Sequence, residues 1–146
     1  MPNGEQEKRE SEPKPTPLKF YIAGSFSERQ EIRDLMNRIE DMGHEIIIDW
    51  TTHSPIKPYE NNLELANQYA DEDIRGAADC DIFILKPAKE GGGTQFAELG
   101  AAIDSEKVKR IFVVGPHNKR SVVFFHSRIE RVDSPEEVFM KLFPHG

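Results

Sequence analysis

The chain has 146 residues, enough for one domain, and its 37% apolar and 31% charged residues build a core under a solvated surface. A formal charge of −7 argues against a nucleic-acid polymer or an anionic membrane as main partner, because both select basic surfaces, yet it leaves room for a small anion held by a few local donors. No apolar run reaches the ~18 residues of a membrane span, and the single cysteine, Cys80, rules out an internal disulfide and fits a reducing compartment.

Residues 1–17 are charged and proline-rich and are expected to form a disordered tail, with residues 18–146 as the domain. The tail has no apolar h-region, so the expected location is the cytoplasm, or the nucleus in a eukaryote. From Leu18 onward strand and helix signals alternate. "LKFYIA" at 18–23 predicts the first strand, ending at Gly24. "SERQ" at 27–30 is a capping-box pattern with Ser27 as N-cap and Gln30 reaching back. Ile32, Leu35, Met36, Ile39 and Met42 then repeat at helical spacing, and Gly43 ends that helix.

"HEIIIDW" at 44–50 predicts the second strand, and a loop with Pro55 and Pro58 follows. Leu63, Ala66, Tyr69, Ala70, Ile74 and Ala77 mark one face of a second helix. "DIFILK" at 81–86 is the third strand, Thr94 opens a third helix reaching about residue 106, and "KRIFVVG" at 109–115 is the fourth strand. "SVVFFH" at 121–126 fits a short helix or an extended turn, and "RIERV" at 128–132 a fifth strand. "SPEE" at 134–137 opens a last helix, with Ser134 as N-cap, Pro135 in the first turn and Glu137 closing the box.

Buried apolar strands alternating with amphipathic helices imply an α/β, doubly wound fold (Rossmann/flavodoxin-like), a five-stranded parallel sheet with helices on both faces. Ligands of such sheets bind outside the carboxyl ends of the strands, at the switch point. That rule selects the Gly24-Ser25-Phe26-Ser27 turn, Trp50 at the end of the second strand, Gly91-Gly92-Gly93-Thr94 after the third, and Asn118 after the fourth. Glycine lets backbone approach a ligand, and the free amides of a first helical turn favour an anion, with Ser25, Ser27 and Arg29 as further donors. Trp50 suits either base stacking or the core. The glycine run matches neither common nucleotide fingerprint, since Phe96 stands where the last glycine of G-x-G-x-x-G belongs.

Glu98 lies one turn inside a helix capped by Thr94, where the positive helix end favours the ionised carboxylate that a nucleophile needs. Asp73 adjoins Ile74 and follows Tyr69 by one turn, which puts it at the edge of the buried face rather than in open water. Two carboxyls in different environments can split a glycosidic bond, one attacking the anomeric carbon and the other handling protons.

"FYIAGSF", "ADEDIRGAADCDIFIL" and "GGGTQFAELGAAI", in this order and spacing, resemble the nucleoside 2-deoxyribosyltransferase superfamily, near its 2′-deoxynucleoside 5′-monophosphate N-glycosidases. The resemblance spans residues 19–143. It implies Glu98 as nucleophile, Asp73 as the acid that protonates the leaving base or positions the sugar, and Tyr21 as the hydroxyl that orients the glutamate. It implies that Gly24, Ser25 and the following turn hold the 5′ end of the substrate; with the strand-end residues above, the expected substrate contacts are Gly24, Ser25, Ser27, Arg29, Trp50, Gly92, Gly93, Thr94 and Asn118. It also implies a homodimer or larger assembly in which residues 118–127 complete a neighbour's pocket. The turn Ser25-Phe26-Ser27-Glu28-Arg29 departs from the phosphate loop of those hydrolases, being poorer in glycine and carrying Glu28.

The expected activity is hydrolysis of the base–sugar bond of a (deoxy)nucleoside or its 5′-monophosphate. Base exchange by transfer, and a non-catalytic nucleotide sensor of the same fold, stay open beside it. The five histidines have no metal-ligand spacing, so no metal and no cofactor is expected. Cys80 is expected in the core.

Overall fold

A computed structural model describes residues 16–145; apart from Thr16 and Pro17, the expected tail lies outside the described residues. Five strands form one parallel sheet: β1 (Lys19–Ala23), β2 (Glu45–Ile46), β3 (Ile82–Leu85), β4 (Arg110–Val114) and β5 (Ile129–Val132), in the spatial order β2-β1-β3-β4-β5. Four helices cover it: α1 (Arg29–Asp41), α2 (Leu63–Asp79), α3 (Gly93–Asp104) and α4 (Pro135–Leu142). The expected doubly wound five-stranded fold is therefore present. Arg38 of α1 bonds Glu136 of α4 and lies over Phe139, which puts these two helices together. Helices α2 and α3 pack on each other over the opposite face.

Burial follows from this layering. The three central strands are covered on both faces, so Phe20 to Ala23, Ile82 to Leu85 and Ile111 to Val114 are all buried in unbroken apolar runs. The chain leaves β1 for the edge strand β2 and returns to β3, so β1 and β3 flank the switch point. Tyr21 pairs with Phe83 there, their rings stacked at 5.8 Å.

Five local expectations need correction. The second strand does not run over 44–50: ladder pairing covers Glu45 and Ile46, and the Ile47 amide adds one bond to Phe20 O. The Asp49 side chain then accepts from the Thr51 amide at 3.0 Å and turns the chain into a 3₁₀ turn, Trp50–Thr52. The Ser27–Gln30 box does not form, because Ser25 caps a 3₁₀ turn, Phe26–Glu28, that precedes α1, and Gln30 instead donates to Asp34. Thr94 does not cap α3; Gly92 does, in the left-handed region at φ 96° that glycine adopts without a steric penalty.

The fourth correction concerns α2. Leu63, Ala70 and Ile74 are exposed, while Gly76, Ala77 and Cys80 are buried and Tyr69 and Asp73 half-buried. The inward face is thus offset from the apolar one and runs through Asp73 itself. Gly43, by contrast, ends α1 with φ 90°, as its position predicts. Ser134 stands at the N-cap of α4, but Glu137 accepts from the Asp133 amide rather than from that of Ser134.

Candidate active site

Strand β1 fixes the centre of the site. Tyr21 is fully buried in mid-strand, and its ring lies beneath α2 where Gly76 leaves room: a Cβ on Gly76 would stand 3.0 Å from Tyr21 Cδ2 and 2.7 Å from Ile48 Cγ1. A glycine inside a helix costs about 1 kcal/mol of propensity against alanine, so this one is there for packing. The Tyr21 hydroxyl crosses to α3 and donates to Glu98 Oε2. Glu98 is 5% exposed, and Asp73 Oδ1 is a fully enclosed side-chain atom with no hydrogen-bond partner among the described residues. Three residues from β1, α2 and α3 therefore meet beside the switch point.

Their electrostatics are coupled. Burial lifts Glu98 to about 7, against the Tyr21 hydrogen bond, which favours the carboxylate, and with the charge of Asp73, which opposes it. Burial likewise lifts Asp73 to about 6, with His53 pulling down and Glu72 pushing up. The charge of Asp73 raises Glu98, so the two carboxyls titrate as a coupled pair and the two values belong to the pair. Burial, Glu98 and Asp73 raise the Tyr21 phenol well above its ordinary range, so it keeps its proton and remains a donor. The expected helix-end stabilisation of ionised Glu98 fails for a geometric reason. With Gly92 as cap, Glu98 sits two residues deeper than a Thr94 cap places it, beyond the first turn where the dipole acts.

The remaining sequence-predicted contacts fall into two groups. Gly24, Ser25, Ser27 and Arg29 form the turn after β1. Gly24 is tightly packed, since an added Cβ would collide with Ile32, while Ser25 Oγ and Ser27 Oγ lie 2.7 Å apart. Arg29 is exposed, its guanidinium 4.5 Å from the Phe26 ring and bonded to Phe26 O. Glu28 in this turn is neutralised by Lys86, whose Nζ lies 3.3 Å from it and 2.6 Å from Glu31. Gly92, Gly93 and Thr94 line the N-terminus of α3, with Thr94 exposed.

Two residues are placed in structural roles instead. Trp50 is buried in the core with its indole N–H on Ile22 O, so its face is not offered for base stacking. Asn118 is buried and donates to Val132 O at 2.8 Å, tying the turn after β4 to β5. Cys80 is buried, as expected, and its thiol is pushed up to about 12 by desolvation.

The structure also adds residues the sequence reading passed over. The His53 ring stacks on Tyr69 at 3.8 Å and its Nε2 lies 4.0 Å from Glu72 Oε2, next to Asp73 in the chain. The Tyr69 hydroxyl accepts from the Ser54 amide at 3.1 Å, which clamps the loop over α2. Arg120 donates to Ala88 O and Gly91 O, both at 2.7 Å, and so holds the glycine turn. Gln95 is 9% exposed, one turn before Glu98 on the same helix face; that i,i+3 spacing was its only signal in the sequence. Among the described residues no group of three or more His, Cys, Asp and Glu is arranged to hold a metal ion.

No family model and no curated protein matches the chain. Among solved structures it is similar to the CMP N-glycosidase BcmB of Clostridium botulinum, with a TM-score of 0.56 and 19% identity over 86% of this chain and 97% of that one. At that identity the likeness establishes the fold. No helix among the described residues is long and apolar enough to cross a membrane.

Proposed function

We propose that the chain is an N-glycosidase that cleaves the base–sugar bond of a nucleoside or its 5′-monophosphate. The observation that carries this reading is the hydrogen bond from Tyr21 to Glu98 beside the half-buried Asp73, at the switch point of the sheet. The likeness to a structure named as a CMP N-glycosidase, itself acting on a nucleoside 5′-monophosphate, supports it.

The roles follow from the environments. Glu98 attacks C1′ of the sugar as a carboxylate, with the Tyr21 hydroxyl fixing the orientation of Oε2 and leaving Oε1 to bond. Positive charge developing on the sugar favours the ionised form of Glu98 and offsets the burial that raises it. The N-glycosidic electron pair leaves with the base, which takes a proton from Asp73, and a C1′–Glu98 ester remains. Water then attacks C1′, gives a proton back to Asp73 and frees the Glu98 carboxylate. Two coupled carboxyls near 6 and 7 hold one proton between them close to neutral pH, and the reaction uses the form in which that proton sits on Asp73 and Glu98 is ionised.

The 5′ end of the substrate is assigned to the Gly24–Ser27 turn, and the cofactor requirement to none. The assembly is proposed to be a homodimer or larger, supported by exposed Leu63, Val122 and Phe125. The test is direct. The protein is incubated with ribo- and deoxynucleosides and their 5′-monophosphates, and free base is measured. Release that disappears in Glu98→Ala is the expected result, whereas no release from any substrate overturns the reading.

A further inference from the structure

The side chain of Gln95 has no part in the mechanism above, yet it is 91% buried on the strength of its 9% exposure. Its amide makes no hydrogen bond among the described residues. Its polar atoms are not sealed either, since Asp73 Oδ1 alone among the described side chains is both fully enclosed and unpartnered. The amide curls back over the turn: a Cβ on Gly92 would stand 3.0 Å from Gln95 Oε1 and 3.7 Å from Arg120 Nη2. Gly92 is thus bare where the amide needs space. Arg120 holds that turn by the Ala88 and Gly91 carbonyls, so the amide rests on a fixed backbone.

Gln95 and Glu98 share the buried face of α3, three residues apart, which sets their Cβ atoms roughly 5–6 Å from each other. A carboxylate poised to attack stands ~3–3.5 Å from its carbon. The first sugar hydroxyl beyond C1′ is the one on C2′, within reach of a group one helical turn away. An amide offers a donor and an acceptor, and a hydroxyl matches both. A phosphate only accepts, so it would pair with the amide NH2 alone and leave the amide oxygen unpaired.

We infer that Gln95 is a specificity-determining residue that hydrogen-bonds the 2′-hydroxyl of a ribose held against Glu98. The inference rests on the N-glycosidase reading and deepens it by naming the sugar. A site built to pair a hydroxyl rejects the analogue that lacks it, because the protein group is then left unpaired.

The test compares kcat/KM for the four common ribonucleoside 5′-monophosphates with their 2′-deoxy counterparts, in the wild type and in Gln95→Met, a near-isosteric change without polar atoms. The wild type is expected to favour the ribo substrate by about tenfold or more. In Gln95→Met the preference collapses towards one, through loss on the ribo substrate alone. Gln95→Asn keeps the polarity of the site, guards against misfolding of the methionine variant, and shows the same collapse because its amide falls short. Equal cleavage of ribo and deoxy substrates by the wild type, or equal slowing of both by Gln95→Met, overturns the proposal. If the wild type releases no base at all, the N-glycosidase reading fails by itself. Gln95 is then judged by nucleotide-induced melting shifts: a larger shift with the ribonucleotide upholds the contact, and equal shifts overturn it.

Discussion

Tyr21 and Glu98 stand 77 positions apart in the chain and share one buried hydrogen bond, with the phenol as donor. The bond ties strand β1 to helix α3 and occupies Glu98 Oε2, leaving Oε1 without that partner. The phenol has one hydroxyl proton to give, and its raised pKa keeps that proton in place across the working pH range.

Removing this donor separates orientation from ionisation. Tyr21→Phe keeps the ring under Gly76 and deletes only the hydroxyl. Glu98 then loses the interaction that lowers its pKa, so the acid limb of the pH–rate profile should move to higher pH. Turnover at neutral pH should drop by ten- to a hundredfold, on the order of one lost hydrogen bond to a charged group. A profile whose acid limb stays in place would show that Tyr21 does not act on the ionisation of Glu98.

Glu98 also leaves a mark on stability. Its folded-state pKa, about 7, lies above the ordinary glutamate value of 4.5, so the folded state binds more protons between these limits. Stability should therefore rise as pH falls from 7 towards 4.5, by up to roughly 3 kcal/mol, and this gain should be missing in Glu98→Gln. Urea titrations of both proteins at several pH values measure it. Parallel pH dependences would contradict the burial account of Glu98.

Gly76 and Gly100 are both helical glycines with opposite surroundings. At Gly76 a Cβ meets Ile48 and Tyr21, while at Gly100 nothing lies within 4 Å. Gly76→Ala should cost about 1–3 kcal/mol through overpacking and disturb the Tyr21–Glu98 bond. Gly100→Ala should add roughly 0.5–1 kcal/mol of stability from helix propensity alone. Thermal melts of the two variants should shift in opposite directions.

Cys80 should be chemically silent in the native state. It is fully buried and its thiol is pushed up to about 12, so thiolate is scarce at neutral pH. Labelling with a thiol reagent should be slow in buffer and rapid in denaturant. Fast native labelling would place Cys80 outside the core.

The proposed assembly has its own test. Val122 is 89% exposed and Phe125 52%, on the short turn after β4. Sedimentation velocity should give a dimer or larger for the wild type, and Val122→Asp should move it towards monomer while leaving the melting curve of the fold intact. A wild-type monomer at micromolar concentration rejects the assembly.

Much of this protein was written in local sequence. The apolar runs at 20–23, 82–85 and 111–114 read as interior parallel strands, because a sheet covered on both faces buries every side chain of such a run. The alternation of strand and helix likewise set the doubly wound class, and the motifs around Tyr21, Asp73 and Glu98 marked the acids and the phenol. Tertiary structure decided how these groups behave. Spacing could not show that the inward face of α2 passes through Asp73 instead of Ile74, because that offset depends on where Gly76 lets Tyr21 in. Nor could it show that Gly92 caps α3, which moves Glu98 out of reach of the helix end and hands its ionisation to burial. Trp50 and Asn118 looked like ligand contacts from their places after strand ends, but each found a backbone carbonyl to hold, in Ile22 and Val132. Local pattern fixes which residues can be buried; which polar group meets which partner depends on contacts between segments far apart in the chain, and those exist only once the sheet has formed.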